Sequence, residues 1–170
     1  MSKLIVHLFT LPFMPVSYLY VLGACLIGLA HKVSFTDWVL TAQWRPWFAE
    51  RWRYSTTVGL GIIYQPDSRT NTRIVNHEHV HVRQHQDEML RALLIGLGVY
   101  AATGSWITGL CIWLLGGAFR LTNFITAGLR FGWANVYRDS EHERSAYAQT
   151  DLWTGGKSWS DFRDGARNSS

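Results

Sequence analysis

Charge is scarce in this 170-residue chain: Asp, Glu, Lys and Arg together make up 16% of it, against roughly 25% in an ordinary soluble domain. The formal charge of +4 is spread along the chain without a run of Lys or Arg, which argues against a nucleic-acid partner and suits an anionic lipid surface. Cysteine is scarcer still. Cys25 and Cys111 each sit in an apolar stretch with no second cysteine at ligand spacing, so a cysteine zinc site is excluded and a disulfide is not expected. There is no internal repeat and no low-complexity tract, and the length suits one compact domain rather than two.

What the chain has in quantity is apolar and aromatic side chains. Apolar residues make up 48%, with nine Trp and seven Tyr, rings that favour membrane–water boundaries. Residues 4–30 run apolar, broken by His7, Pro12 and Pro15, and His31-Lys32 closes them without a small-x-small site. That run is too long for a cleavable signal, so residues 1–32 read as a retained membrane anchor, spanning nearer 16–30. Residues 33–54 carry four tryptophans and three arginines and suit either an interfacial segment or the rim of a core.

Residues 55–64 (STTVGLGIIY) are short, β-branched and glycine-interrupted, reading as a strand or hairpin arm that ends in the Gln65-Pro66-Asp67-Ser68 turn. From about Asn71 the pattern turns helical and no proline interrupts it through Tyr100. This helix, roughly 45 Å long at 1.5 Å per residue, is polar in its first half and apolar in its second. Apolar character continues to residue 119, with a break at Thr103-Gly104-Ser105, so residues 92–119 form either one span or a hairpin. A second polar helix is expected at about 139–153, and residues 154–170 read as a loose tail. The fold class expected is mainly α and membrane-associated, with residues 33–153 as its domain.

The chemistry centres on His77-Glu78-His79-Val80-His81, an H-E-x-x-H match on the expected helix. Residues four apart lie on one face about 6 Å apart along the axis, so two imidazoles can converge on one zinc ion. Glu78, turned about 100° from His77 along the helix, can serve as general base toward a water at that ion without being a ligand. His85 lies about 12 Å along the axis from His77, too far to share a metal with both histidines. His79 points off the metal face, and His7 and His31 belong with the first apolar run. A catalytic zinc keeps three protein ligands and one open position. Spacing leaves Asp139, Glu141, His142, Glu143 and Asp151 open as the third.

The stretch GIIYQPDSRTNTRIVNHEHVHVRQHQDEML, an apolar run, and then YRDSEHERSAYAQ resembles a group of small bacterial membrane zincin-like proteins. Their pattern is close to N-H-E-x-I-H-x-R-Q-Q followed by Y-R-x-x-x-F-E-x-E-A-Y. It is also similar to the wider gluzincin metallopeptidases, whose third ligand is a glutamate in an E-x-x-A helix. The likeness covers roughly residues 59–150. It implies a zincin-like two-helix site in which His77, His81 and Glu143 hold Zn2+ and Glu78 is the base. Ala146 would allow close helix packing, and Tyr147 is either a hydrogen-bond donor near the metal or a packed aromatic. Val80, His85 and Ser145 depart from the pattern without removing a ligand.

For Glu143 to join the two histidines, the stretch 92–119 must return to the side it left. Residues 32–91 carry eight Lys/Arg and residues 120–170 carry seven, which places both on the cytoplasmic side of a bacterial inner membrane. The function expected is a membrane-associated zinc metallopeptidase bound to lipid. The alternatives are a non-enzymatic bacterial or phage accessory protein with a structural metal, and an adaptor acting through residues 38–54.

Overall fold

The computed structural model describes residues 10–52, 54–117, 125–126, 129 and 141–149, and every structural statement below is made of those residues. A single turn of 3-10 helix, Leu11–Phe13, leads into α1 (Met14–Leu26). Then come β1 (Ala30–Thr36), β2 (Val39–Trp44), a one-turn helix α2 (Pro46–Ala49), and the hairpin of β3 (Thr56–Val58) and β4 (Gly61–Tyr64). The long helix α3 (Thr72–Thr103), α4 (Trp106–Leu114) and α5 (Glu141–Gln149) complete the order.

The four strands form one mixed sheet in the order β1-β2-β4-β3. β1 and β2 are antiparallel around Asp37 and Trp38, both at positive φ (49° and 66°), the backbone of a tight hairpin turn with the twist that flanking strands need. Tyr18 of α1 donates from its hydroxyl to the Trp38 carbonyl at 2.9 Å and ties that turn down. β2 and β4 are parallel, and β3 pairs antiparallel with β4 on the outer edge. Along β4, Ile62 and Tyr64 join one apolar cluster with Val39, Met14 and Val82, whereas Ile63 joins another with Val21, Ala24 and Ala42. The alternation is that of a central strand buried on both faces.

Ser17 fastens α1 to the β3–β4 turn, its hydroxyl accepting from the Leu60 amide at 3.1 Å and donating to the Phe13 carbonyl at 3.0 Å. Gly59 has φ +58°, and a Cβ there would lie 2.2 Å from Ser17 Oγ, so both conformation and space require glycine. α3 starts on an Asn71 cap, whose side chain accepts from the Arg73 amide, and ends at Gly104 in the left-handed conformation. The chain then reverses, and α4 runs back along α3. Gly96 and Gly109 meet backbone to backbone, a Cβ on Gly96 falling 2.4 Å from the Gly109 carbonyl oxygen.

This architecture corrects three sequence expectations. The fold is not mainly α around two helices: a four-stranded mixed sheet occupies its centre. Residues 33–54 supply much of that sheet instead of an interfacial segment, because Val39, Leu40, Ala42 and Trp44 are buried in β2. Nor is there a transmembrane helix among the described residues. None of the described helices is long and apolar enough to cross a membrane, which overturns the anchor at residues 1–32, the membrane association and the inner-membrane localisation inferred from it. α1 has 13 residues, with Met14, Ser17, Val21 and Ala24 buried, whereas a span needs about 20 apolar residues. α3 is long enough at 32 residues, but its first half is charged. Residues 1–9 of the expected anchor and the expected tail, 154–170, lie outside the described residues.

Candidate metal centre

α3 carries its polar residues at 77, 78, 81, 85 and 88 inward, and all five are buried. His77 and His81, one turn apart, bring their Nε2 atoms to 3.1 Å of each other. α5 crosses this face antiparallel to α3 and delivers Glu143, whose Oε2 is 3.2 Å from His77 Nε2 and whose Oε1 is 3.2 Å from His81 Nε2. His77, His81 and Glu143 are 5%, 1% and 3% exposed, and one ligand atom from each lies within 4.8 Å of the others. These three residues make a buried group that can hold a metal ion. Burial pushes the Glu143 carboxyl up, but hydrogen bonds from His77 and His81 and their nearby charge outweigh it and hold the group at about 2.

The tautomer of His81 follows from Gln84. The Gln84 amide nitrogen donates to the His142 carbonyl at 2.9 Å, so its oxygen faces His81 Nδ1, at 2.8 Å. Nδ1 must then carry the hydrogen, so in the neutral ring Nε2 presents a lone pair to the centre of the group, and only the protonated ring donates from Nε2 to Glu143. His77 is held differently. Its ring lies against that of Tyr147, centroids 4.5 Å apart and planes at 33°, and its Nδ1 is buried without a hydrogen-bond partner. Tyr147 therefore packs its ring on one of the two histidines of the group.

Glu78 is buried beside the ligands but takes no part in the group. Its Oε2 accepts from the Thr57 hydroxyl on β3 at 2.5 Å, and its charge helps to raise Tyr64, which burial and Glu78 together push up to about 12 against the opposing effect of Arg69. Tyr20 is raised in the same way, first by burial and then by Glu78, while its short hydrogen bond to Thr56 opposes the shift.

The other histidines and acids sort as follows. His79 lies half-buried outside the group, its basicity lowered by burial and by Arg83. His85 packs its ring on Phe13, with centroids 4.9 Å apart. His142 neighbours Glu143 in sequence yet faces away from the centre and pairs through Nε2 with Glu88 Oε1. Glu141 opens α5; Asp139, Asp151 and His7 lie outside the described residues. Sequence reasoning missed Gln84, Thr57 and Glu88. Gln84 and Glu88 stand at i+7 and i+11 from His77, on the ligand face of the helix, and that periodicity was the available signal. Nothing in sequence pointed to Thr57, which sits on an edge strand paired with a partner that only the fold reveals. In comparison with known proteins, no family, no curated protein and no solved structure matches this chain.

Proposed function

We propose that this chain is a zinc-dependent hydrolase that cleaves a peptide or amide bond, with His77, His81 and Glu143 as ligands and Glu78 as general base. The observation that carries the reading is the convergence of the three side chains: the two Nε2 atoms lie 3.1 Å apart, and each lies 3.2 Å from one oxygen of the Glu143 carboxylate. A tetrahedral ion with bonds of about 2.0–2.1 Å holds its ligand atoms about 3.3 Å apart. Three lone-pair donors packed this closely in a buried place repel one another unless a proton or a cation sits among them. Two imidazoles and one carboxylate are a donor set that zinc favours. The likeness to the gluzincin pattern, H-E-x-x-H with a later E-x-x-A-Y, supports the same assignment.

A bound zinc ion would supply Lewis acidity, polarising a substrate carbonyl and making water acidic near neutral pH. Glu78 then has the part of the proton carrier, taking the proton of the attacking water and handing it to the leaving nitrogen. The Thr57 hydroxyl fixes the carboxylate by holding Oε2, which makes Oε1 the oxygen that takes the proton. A purely structural metal would call for a fourth protein ligand. Among the described residues His142, next to Glu143 in the chain, is engaged by Glu88, and Glu78 by Thr57, and this favours a centre with an open position.

The test is metal analysis of the purified protein joined to a peptidase assay. The wild type should carry one zinc per chain, and His81→Ala or Glu143→Ala should carry little or none. Glu78→Gln should keep the zinc and lose turnover by about 10²- to 10⁴-fold, the usual contribution of a positioned base. Full activity in Glu78→Gln on a substrate the wild type cleaves would refute the mechanism.

A further inference from the structure

α5 is a weak helix by its own means. It has nine residues, fewer than an isolated helix needs to persist in water, and of its side chains Ala146, at 0% exposure, is a small one to bury. Yet this helix must deliver Glu143 to a point fixed to a few tenths of an ångström. The polar contacts beside Glu143 supply what apolar packing does not. Gln84 Nε2 binds the His142 carbonyl at 2.9 Å, one residue before the ligand, and Glu88 Oε1 binds His142 Nε2. His142 is thus gripped at its backbone and at its ring by two residues four apart on α3. The contacts run in order along both helices: His142 meets Glu88 and Gln84, Glu143 meets His81 and His77, and Tyr147 meets His77.

We infer that Gln84 and Glu88 are positioning residues that latch α5 in register, so that Glu143 and not His142 faces the centre. The inference rests on the metal-centre reading above. Rotation of α5 by one residue, about 100°, would turn His142 toward the two histidines and Glu143 away. The Glu88 carboxylate opposes this because it holds the His142 ring one turn further along α3. Glu88 is poorly explained by stability. It is 8% exposed, and its Oε2 is buried without a hydrogen-bond partner, a cost that an apolar side chain would avoid. Gln84 has a double part, since the amide that grips His142 also sets the His81 tautomer. One side chain couples the orientation of a ligand on α3 to the position of the ligand on α5.

Amide hydrogen exchange of the metal-free protein tests the latch directly. Glu88→Ala and Gln84→Ala should each speed exchange across residues 141–149 by about tenfold or more and leave the strands unchanged. Glu88→Gln, whose amide oxygen can still accept from the His142 ring, should stay close to wild type. Unchanged exchange in the Glu88→Ala, Gln84→Ala double variant would overturn the latch whether or not the protein binds zinc. Zinc competition titration supplies the second reading. Glu88→Ala should weaken zinc by about 10- to 100-fold, the usual effect of losing a supporting partner, and Glu88→Gln should restore most of it. In a Glu143→Ala background, titrated at the higher zinc concentrations that its two remaining histidines need, the same Glu88→Ala change should cost nothing further, because the residue acts through Glu143. Additive losses would overturn the inference. A wild type without zinc would instead sink the metal reading and leave exchange to decide on the latch. Gln84 is only part-buried, so Gln84→Ala carries the test if Glu88→Ala fails to fold.

Discussion

The two halves of α3 invert the usual arrangement of a helix. In residues 72–91 the buried side chains include two glutamates and three histidines, covered by the sheet on one side and α5 on the other. In residues 92–103 large apolar side chains stand exposed, among them Leu94 at 59%, Ile95 at 51%, Leu97 at 53% and Tyr100 at 48%. The first half is therefore held by hydrogen bonds and shape, and it is the half that contributes His77 and His81 to the candidate metal group. The second is held by close backbone approach at Gly96 and Gly109. Burial of polar groups costs free energy unless they are partnered, so the polar half is the place where fold and function constrain each other. The apolar half shows that hydrophobicity alone did not decide which residues went inside.

The sharpest way to break this comparison is at its junction. Met89 is fully buried, and its sulfur meets the end of the α4 segment near Gly116. Met89→Ala should cost about 2–5 kcal/mol, the range for truncating a buried methionine, measured by denaturant unfolding. Next comes the glycine crossing. A valine at Gly96 would place Cβ 2.4 Å from the Gly109 carbonyl oxygen, and forcing the helices apart should cost about 1–3 kcal/mol. Zinc uptake should survive Gly96→Val, because the ligands lie in the other half. Loss of zinc with the fold intact would show the halves to be one unit.

A pH titration sharpens the polar half. Tyr64 is pushed from 10.0 to about 12 by burial and then by Glu78, with Arg69 opposing. The folded chain therefore keeps its phenolic proton to a higher pH than the unfolded chain. Stability should be fully present below about pH 10 and fall as pH rises toward about 12. Tyr64→Phe should flatten that slope in unfolding measurements across the window; an unchanged slope would place its cause elsewhere.

Legibility in the sequence followed the range of the interactions. The motif helix was readable because its signals are local: a proline-free helical pattern from about Asn71, a four-residue histidine spacing and the break at Thr103-Gly104-Ser105. The sheet was not. β2 pairs parallel with β4 across the intervening α2 and β3, a contact that no local pattern encodes. Tryptophan misled for a related reason. Trp44 is a core residue at 5% exposure, with its indole nitrogen donating to the Tyr54 carbonyl at 3.1 Å, whereas Trp47 and Trp52 stand exposed nearby. Composition counts all three alike. The third member of the candidate group was similarly beyond spacing, which left five candidates; the fold turns Glu143 to the two histidines and pairs His142 with Glu88, 55 positions before Glu143 in the chain.

The smallest effect is the one that tests the inversion most directly. Leu97 belongs to neither of the two apolar clusters of the sheet and is 53% exposed. If its half is held by the Gly96–Gly109 approach and not by burial of leucines, Leu97→Ser should change unfolding free energy by no more than about 0.5 kcal/mol, the range for surface substitutions. Serine lowers helix propensity slightly, so the residual sign should be destabilising. A loss near the 2–5 kcal/mol expected of a buried leucine would mean that Leu97 is covered in solution. The apolar half would then be a second core with its lid in place, and the contrast between the two halves of α3 would be one of composition alone.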